Sequence, residues 1–218
     1  MNEQTNTTIP PGEITHNERW SQQNSPGGKT QHQMILFDLD GTIANVDRRR
    51  QAADQAEEDY ILENIHTVST DLDTTEPVDG RSTMRAFNRA AKAEWWKVWQ
   101  DPANIKRDEP NEVVVSILRD WHERGKVITI VSARNDKNRD VTEEWLAAHG
   151  IHYDALHMRK DGDYRPDNVF KQELLDNIRK NGDDLIERVY DDRNQVVDMW
   201  RANGIDCIQV VPRNKGEF

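Results

Sequence analysis

The chain has 218 residues, 29 of them basic and 40 acidic, for a formal net charge of −11. It is long enough to bury one ordinary core with something added, and its acid excess argues against a large nucleic-acid footprint, which rewards clustered Lys and Arg. A single cysteine, Cys207, excludes an internal disulfide framework and reads as a core thiol in a reducing compartment.

Residues 1–31 are rich in Asn, Gln, Thr, Pro and Gly without an apolar period, a composition that predicts a disordered tail. Met1 to Pro10 lack the basic start and apolar centre of a signal peptide, and no apolar run reaches the length of a membrane span. The expected location is therefore cytoplasmic, with no membrane partner. Gly28-Lys29-Thr30 suggests a phosphate loop, but Gln23 stands where that loop needs a glycine, so no nucleotide-binding loop is expected here.

A first strand is predicted at 34–38, where Met34-Ile35-Leu36-Phe37 runs into Asp38-Leu39-Asp40-Gly41-Thr42. Two carboxylates at the carboxyl end of a strand lie where open parallel sheets bind their ligands. Alternation along an extended chain points both into one crevice, and like charges that close need a cation. An aspartate nucleophile, a second aspartate to move a proton and an Asp-Gly turn together describe metal-dependent phosphoryl transfer through an aspartyl phosphate. The plainer alternative is a strand running into a turn.

The stretch from about 45 to 109 breaks the strand–helix rhythm and is predicted to be two inserted helices. Residues 51–80 carry many acids and no Lys or Arg, whereas Arg81, Arg85 and Arg89 fall on one helical face, followed by Lys92. The stripe is expected to pair with the acidic helix before it, although it could instead meet a nucleic-acid strand. Trp95, Trp96 and Trp99 are expected to pack the insertion onto the body rather than to stack bases. Of Arg48, Arg49 and Arg50, at least two are expected to be solvated.

Beyond the insertion, strands are predicted near 126–131, 154–158, 187–190 and 206–211, and helices at 110–123, 139–149, 168–180 and about 195–202. Alternating strands and helices imply an α/β fold with a parallel sheet covered on both faces. The strand Val127-Ile128-Thr129-Ile130-Val131 ends in Ser132-Ala133-Arg134, a hydroxyl and a forked cation of the kind that holds phosphate oxygens. Lys171 opens a helical segment, and Val189-Tyr190 closes on a second acid pair, Asp191-Asp192. His149, His152 and His157 form no metal pattern with nearby acids.

Acid pair, hydroxyl, lysine and acid pair, in that order, resemble the four signature motifs of the haloacid dehalogenase (HAD) superfamily. The resemblance is closer to the 3'-phosphatase domain of bacteriophage polynucleotide kinase-phosphatase, through Ile130 to Arg134, Gly162 to Lys171 and Asp191 to Arg201. It covers about 34–43 and 112–211, and it implies a Rossmann-like HAD body at 32–46 and 110–218 with an inserted helical cap at 47–109. It implies Asp38 as nucleophile and Asp40 as general acid and base. Mg²⁺ would be held by Asp38, the carbonyl of Asp40 and one of Asp191 and Asp192, the resemblance favouring Asp192. Ser132, Arg134 and Lys171 would bind phosphate, and Asp167 would orient Lys171 or Arg165. The implied activity is a Mg²⁺-dependent phosphomonoesterase acting on a nucleotide or nucleic-acid 3' end, as in DNA or RNA end repair, without a kinase domain. Two rivals stay open. One is a 5'-nucleotidase or small-metabolite phosphatase, and the other a non-catalytic nucleic-acid-binding protein on the same fold. No stable protein partner is inferable.

Overall fold

The computed structural model describes residues 33–71, 80–180 and 186–210, so the tail expected over 1–31 lies outside them. The first strand, β1 (Met34–Asp38), is buried along its whole length, as its unbroken apolar run requires of a strand covered on both faces. It is followed by a two-residue strand, β2 (Ala44–Asn45), and then by the insertion.

The insertion is an antiparallel pair of helices, α1 (Asp47–Asp71) and α2 (Gly80–Trp99), with a short helix, α3 (Pro102–Ile105), behind them. Three contacts fix the register of the long pair. Trp95 Nε1 donates to Asp54 at 2.7 Å, Lys92 pairs with Glu57 at 3.1 Å, and Tyr60 packs against Phe87. The chain returns through β3 (Glu109–Pro110), which pairs antiparallel with β2 and ties the root of the insertion shut. This ribbon is not foreseen in the sequence because two residues a side leave no alternation to read.

The body continues through α4 (Glu112–Glu123), β4 (Val127–Asn135), α5 (Arg139–Ala148), β5 (Ala155–Arg159), α6 (Asp167–Lys180), β6 (Ile186–Asp191), α7 (Asn194–Ala202) and β7 (Cys207–Gln209). All five long strands are parallel, in the order β5-β4-β1-β6-β7. Alternate residues of the central strands feed opposite cores. Ile35, Phe37, Ile128 and Ile130 meet Val115, Leu118, Trp145 and Leu146 on one face, while Met34, Leu36, Val131 and Val189 meet Leu175, Val196, Val197 and Trp200 on the other. Each such side chain contributes about 1.5–3 kcal/mol through burial. The expected parallel α/β sheet is thus present, with β1 at its centre.

Two expectations for the insertion need correction. Trp95 and Trp99 are buried and stacked on each other, but Trp96 is 48% exposed and meets Trp95 only edge-on. Lys92 does pair with the acidic helix, whereas Arg85 and Arg89 are exposed and have no ion-pair partner among the described residues. The difference is geometric: at about 100° per residue Lys92 lies nearer the buried sector of α2 than Arg85 and Arg89 do.

Candidate active site

Pairing of the central strands brings the separated motifs to one end of the sheet. Asp38 lies opposite Val131 of β4, which places Ser132 one residue further along at the same end. On the other flank, Phe37 lies opposite Tyr190, so that Asp191 and Asp192 close β6 beside Asp38. After Asp38 the chain leaves the sheet in a tight turn, with Ala44 N donating to Leu39 O at 2.8 Å and Gly41 N to Ala44 O at 2.9 Å. Gly41 has φ +94°, and a Cβ there would collide with the Asp192 carboxylate. Only glycine combines that backbone conformation with such a close approach.

Because the strand ends at Asp38, alternation does not carry through to Asp40, and the two carboxylates take different partners. Asp38 belongs to a cluster with Asp191 and Asp192 whose ligand oxygens lie within 4.8 Å of one another, all three residues buried. Lys171, itself buried, donates to Asp38 Oδ1 and Asp191 Oδ2, each at 2.6 Å. Burial raises the Asp38 carboxyl well above its ordinary range, opposed by Lys171 and reinforced by the charges of Asp191 and Asp192. Burial works to lower the Lys171 ammonium, but Asp191 and Asp38 prevail and hold it above its usual range. Burial and then Asp191 push Asp192 up to about 7.

Three buried carboxylates gather around the Lys171 ammonium with Arg193 close by, an excess of negative charge that protonation or a further cation relieves. Asp192 Oδ1 is buried without a hydrogen-bond partner among the described residues. The donors are all oxygens, the set that Mg²⁺ prefers. The residues therefore fit a hard divalent cation.

Asp40 sits between two guanidinium groups. Arg134 binds it through Nε at 3.3 Å and through a second nitrogen, and Arg49 reaches it at 2.5 Å. Burial works to raise the Asp40 carboxyl, but Arg134 and Arg49 hold it well below the usual carboxylate range. Ser132 Oγ accepts from the Arg134 backbone N–H at 3.1 Å, and the guanidinium also donates to Thr142 Oγ1 at 3.0 Å, so both ends of Arg134 are fixed.

Two members of this arrangement are not singled out by the sequence. Arg49 is buried, stacks over Trp99 at 4.2 Å and donates to Trp99 O at 3.1 Å. Asp108 accepts from Arg49 Nε at 3.2 Å, with Arg134 3.5 Å from its other oxygen, and burial pushes it up to about 6. Of the three consecutive arginines only Arg48 is well exposed, paired with Glu109; Arg50 is half-buried over Trp99, which corrects the expectation of two solvated side chains. Nothing local marks Asp108, which is brought to Arg49 by the returning end of the insertion. Asp167 bonds Arg159 and Arg193, not Lys171 or Arg165; Arg165 is taken by Asp163 and Glu173.

The family described as the polynucleotide kinase PNKP phosphatase domain matches residues 90–218, more than half of the chain, and so includes Ser132, Arg134, Lys171 and both terminal acids. Among solved structures, a chain of a Pnkp1/Rnl/Hen1 complex is 24% identical with a TM-score of 0.54, over 97% of this chain and 53% of its own. One from the Pnkp1/Rnl/Hen1 RNA repair complex is 27% identical with a TM-score of 0.54, over 89% and 47%. This chain thus spans about half the length of both. A Clostridium difficile phosphatase shares the fold at 18% identity and a TM-score of 0.58, over 86% of this chain and 88% of its own. No helix among the described residues is long and apolar enough to cross a membrane. With the four motifs gathered at one end of a parallel sheet, the chain belongs to the PNKP phosphatase-domain family of HAD phosphatases.

Proposed function

We propose that this protein is a Mg²⁺-dependent phosphomonoesterase that removes 3'-phosphates from nucleotides or nucleic-acid ends through an aspartyl phosphate on Asp38. The observation that carries the chemistry is the division of labour between the two acids of the first motif. Asp38 lies in the metal-fitting cluster and Asp40 on an arginine pair. Asp38, Asp191 and Asp192 would hold Mg²⁺, with the Asp40 carbonyl as a further candidate. When bound there, the ion offsets the carboxylate charge and polarises a phosphoryl oxygen.

An Asp38 oxygen attacks phosphorus as the bond to the leaving oxygen breaks, and Lys171 and Ser132 stabilise the transferring phosphoryl group. Asp40 gives its proton to the leaving oxygen and takes one from the water that hydrolyses the acyl phosphate. Without substrate, Asp40 is ionised between Arg134 and Arg49. A phosphate dianion competes for both guanidiniums, and burial then favours uptake by Asp40 of a proton from solvent, which is the proton it passes to the leaving oxygen. The helical pair at 47–109 acts as a cap, since its root supplies Arg49 and Asp108. Asp167 positions Arg193 beside the terminal acids.

The 3' preference is supported by the family, whose description is of a polynucleotide kinase phosphatase domain, and by the likeness to a chain of an RNA repair complex. The test is kcat/KM for a 3'-mononucleotide, its 5' isomer and a 3'-phosphorylated oligonucleotide with Mg²⁺ and in excess chelator. Hydrolysis of 3'-esters that chelation abolishes is the expected result. A strong preference for the 5' isomer would make the protein a nucleotidase, and absence of any metal-dependent turnover would leave a non-catalytic binding protein.

A further inference from the structure

The exposed arginines and indole of α2 have no role in the chemistry above, yet this helix is strongly basic among the described elements of an acidic chain. Its sequence holds five cations and one acid, against a net charge of −11 for the whole. At about 100° per residue, Arg81, Arg85, Arg89, Lys92, Trp96 and Trp99 fall within a sector of roughly 80°, a stripe about 27 Å long. Phe87, Ala91 and Trp95, which are buried, lie in the adjoining sector. Lys92 and Trp99 at its edge help to hold α2 in place, whereas Arg85, Arg89 and Trp96 are not what fastens α2 to its neighbour.

Within it, Lys92 is occupied by Glu57 and by the ring of Trp95 at 4.3 Å. Arg85 and Arg89 are exposed without an ion-pair partner among the described residues, and Trp96 leaves 48% of its surface open between them and the body. Separate observations tie the stripe to the reacting centre. Its last member, Trp99, carries Arg49 at 4.2 Å and Arg50 at 5.4 Å over its ring, and Arg49 reaches Asp40. Cations spaced along a helix with an exposed indole among them, running out from the proposed phosphate site, match a charged strand with stackable bases.

We infer that the Arg85, Arg89 and Trp96 face of α2 binds the single-stranded nucleic acid leading up to the 3'-phosphate, with phosphates on the arginines and a base on Trp96. The inference rests on the 3'-phosphatase reading for its orientation, but binding along this face is measurable without turnover. It also revises what the acidic composition suggests, that added strand length brings only a weak benefit. An acidic protein segment would satisfy the arginines but not the indole, which is why a strand is the better occupant.

The test uses the full chain, the Arg85→Ala/Arg89→Ala double variant and Trp96→Ala. Fluorescence anisotropy measures binding of a labelled twelve-residue oligothymidylate lacking a terminal phosphate, and kcat/KM is compared for the same strand bearing a 3'-phosphate and for thymidine 3'-monophosphate. We expect the double variant to lose tenfold or more on the strand in both measurements and to keep wild-type turnover of the mononucleotide. Its slope of log K against log salt should flatten by about 1.4, for two phosphates no longer neutralised. Trp96→Ala should weaken strand binding by about 5- to 160-fold, the range expected of one lost stack.

Wild-type strand binding in both variants would overturn the inference while leaving the phosphatase reading intact. Displacement of the strand by polyglutamate at equal charge, with no effect of Trp96→Ala, would also overturn it and assign the face to an acidic protein. Loss of binding in the variants of a protein that hydrolyses no 3'-ester would support the face and defeat the phosphatase reading.

Discussion

At the scale of single residues, the site depends on buried charges whose partners are few and specific. Asp38→Asn replaces the proposed attacking carboxylate with a poor nucleophile and removes charge from the acidic cluster proposed to hold Mg²⁺, so kcat should fall by a factor on the order of 10³ or more. Near wild-type turnover in the purified variant would sink the proposed mechanism. Gly41→Ala asks a side chain to adopt φ +94° and to enter the space of the Asp192 carboxylate. The expected result is a loss of about 1–3 kcal/mol in stability, read by denaturant unfolding, together with weaker binding of Mg²⁺. Asp108 touches neither proposed metal nor phosphate, but it holds Arg49 and stands 3.5 Å from Arg134. Asp108→Ala leaves these buried guanidiniums with Asp40 as their remaining carboxylate and should cost about 3–5 kcal/mol. Unchanged stability there would mean that water reaches the pair.

At the scale of elements, the insertion is joined to the catalytic end of the sheet as well as attached to the body. The β2–β3 ribbon closes its root, and the end of α2 presents Trp99 to Arg49. Truncating that indole in Trp99→Ala should therefore cost about 3–5 kcal/mol through the lost packing. It should also lower kcat, because Arg49 loses the ring that supports it. A variant with normal kcat at a temperature where it is fully folded would show that Asp108, Asp40 and the carbonyl of residue 99 hold Arg49 without the ring.

At the scale of the whole molecule, pH dependence should test the proposed metal site without any assay of turnover. Burial and Asp191 push Asp192 up to about 7, and burial pushes Asp108 up to about 6. For an acid raised in the folded state, the stabilisation is fully present below its unfolded value near 3.8 and is lost as pH rises through the folded one. In chelator, the protein should therefore become less stable between pH 6 and pH 8. Mg²⁺ binds the ionised carboxylates and should reverse that trend, raising Tm more at pH 8 than at pH 6. At this chain length each kcal/mol shifts Tm by about 2–4 °C. A Tm that responds to Mg²⁺ equally at both values would show that Asp192 carries no proton to displace.

By itself the sequence determined the parallel α/β sheet, because apolar runs alternate with helices of one-sided periodicity and both patterns are local. It also marked Asp38, Asp40, Ser132, Arg134, Lys171, Asp191 and Asp192, since each belongs to a short motif at the end of a recognisable strand or the start of a helix. The tertiary structure decided how these residues are shared. Asp38 faces Lys171 and Asp191, whereas Asp40 faces Arg134 and Arg49. Only the fold selected Arg49 from three consecutive arginines, brought Asp108 to it across 59 residues, and turned Trp96 outward while burying Trp95 and Trp99. Such choices rest on contacts between segments far apart in the chain, for which local periodicity and composition carry no signal.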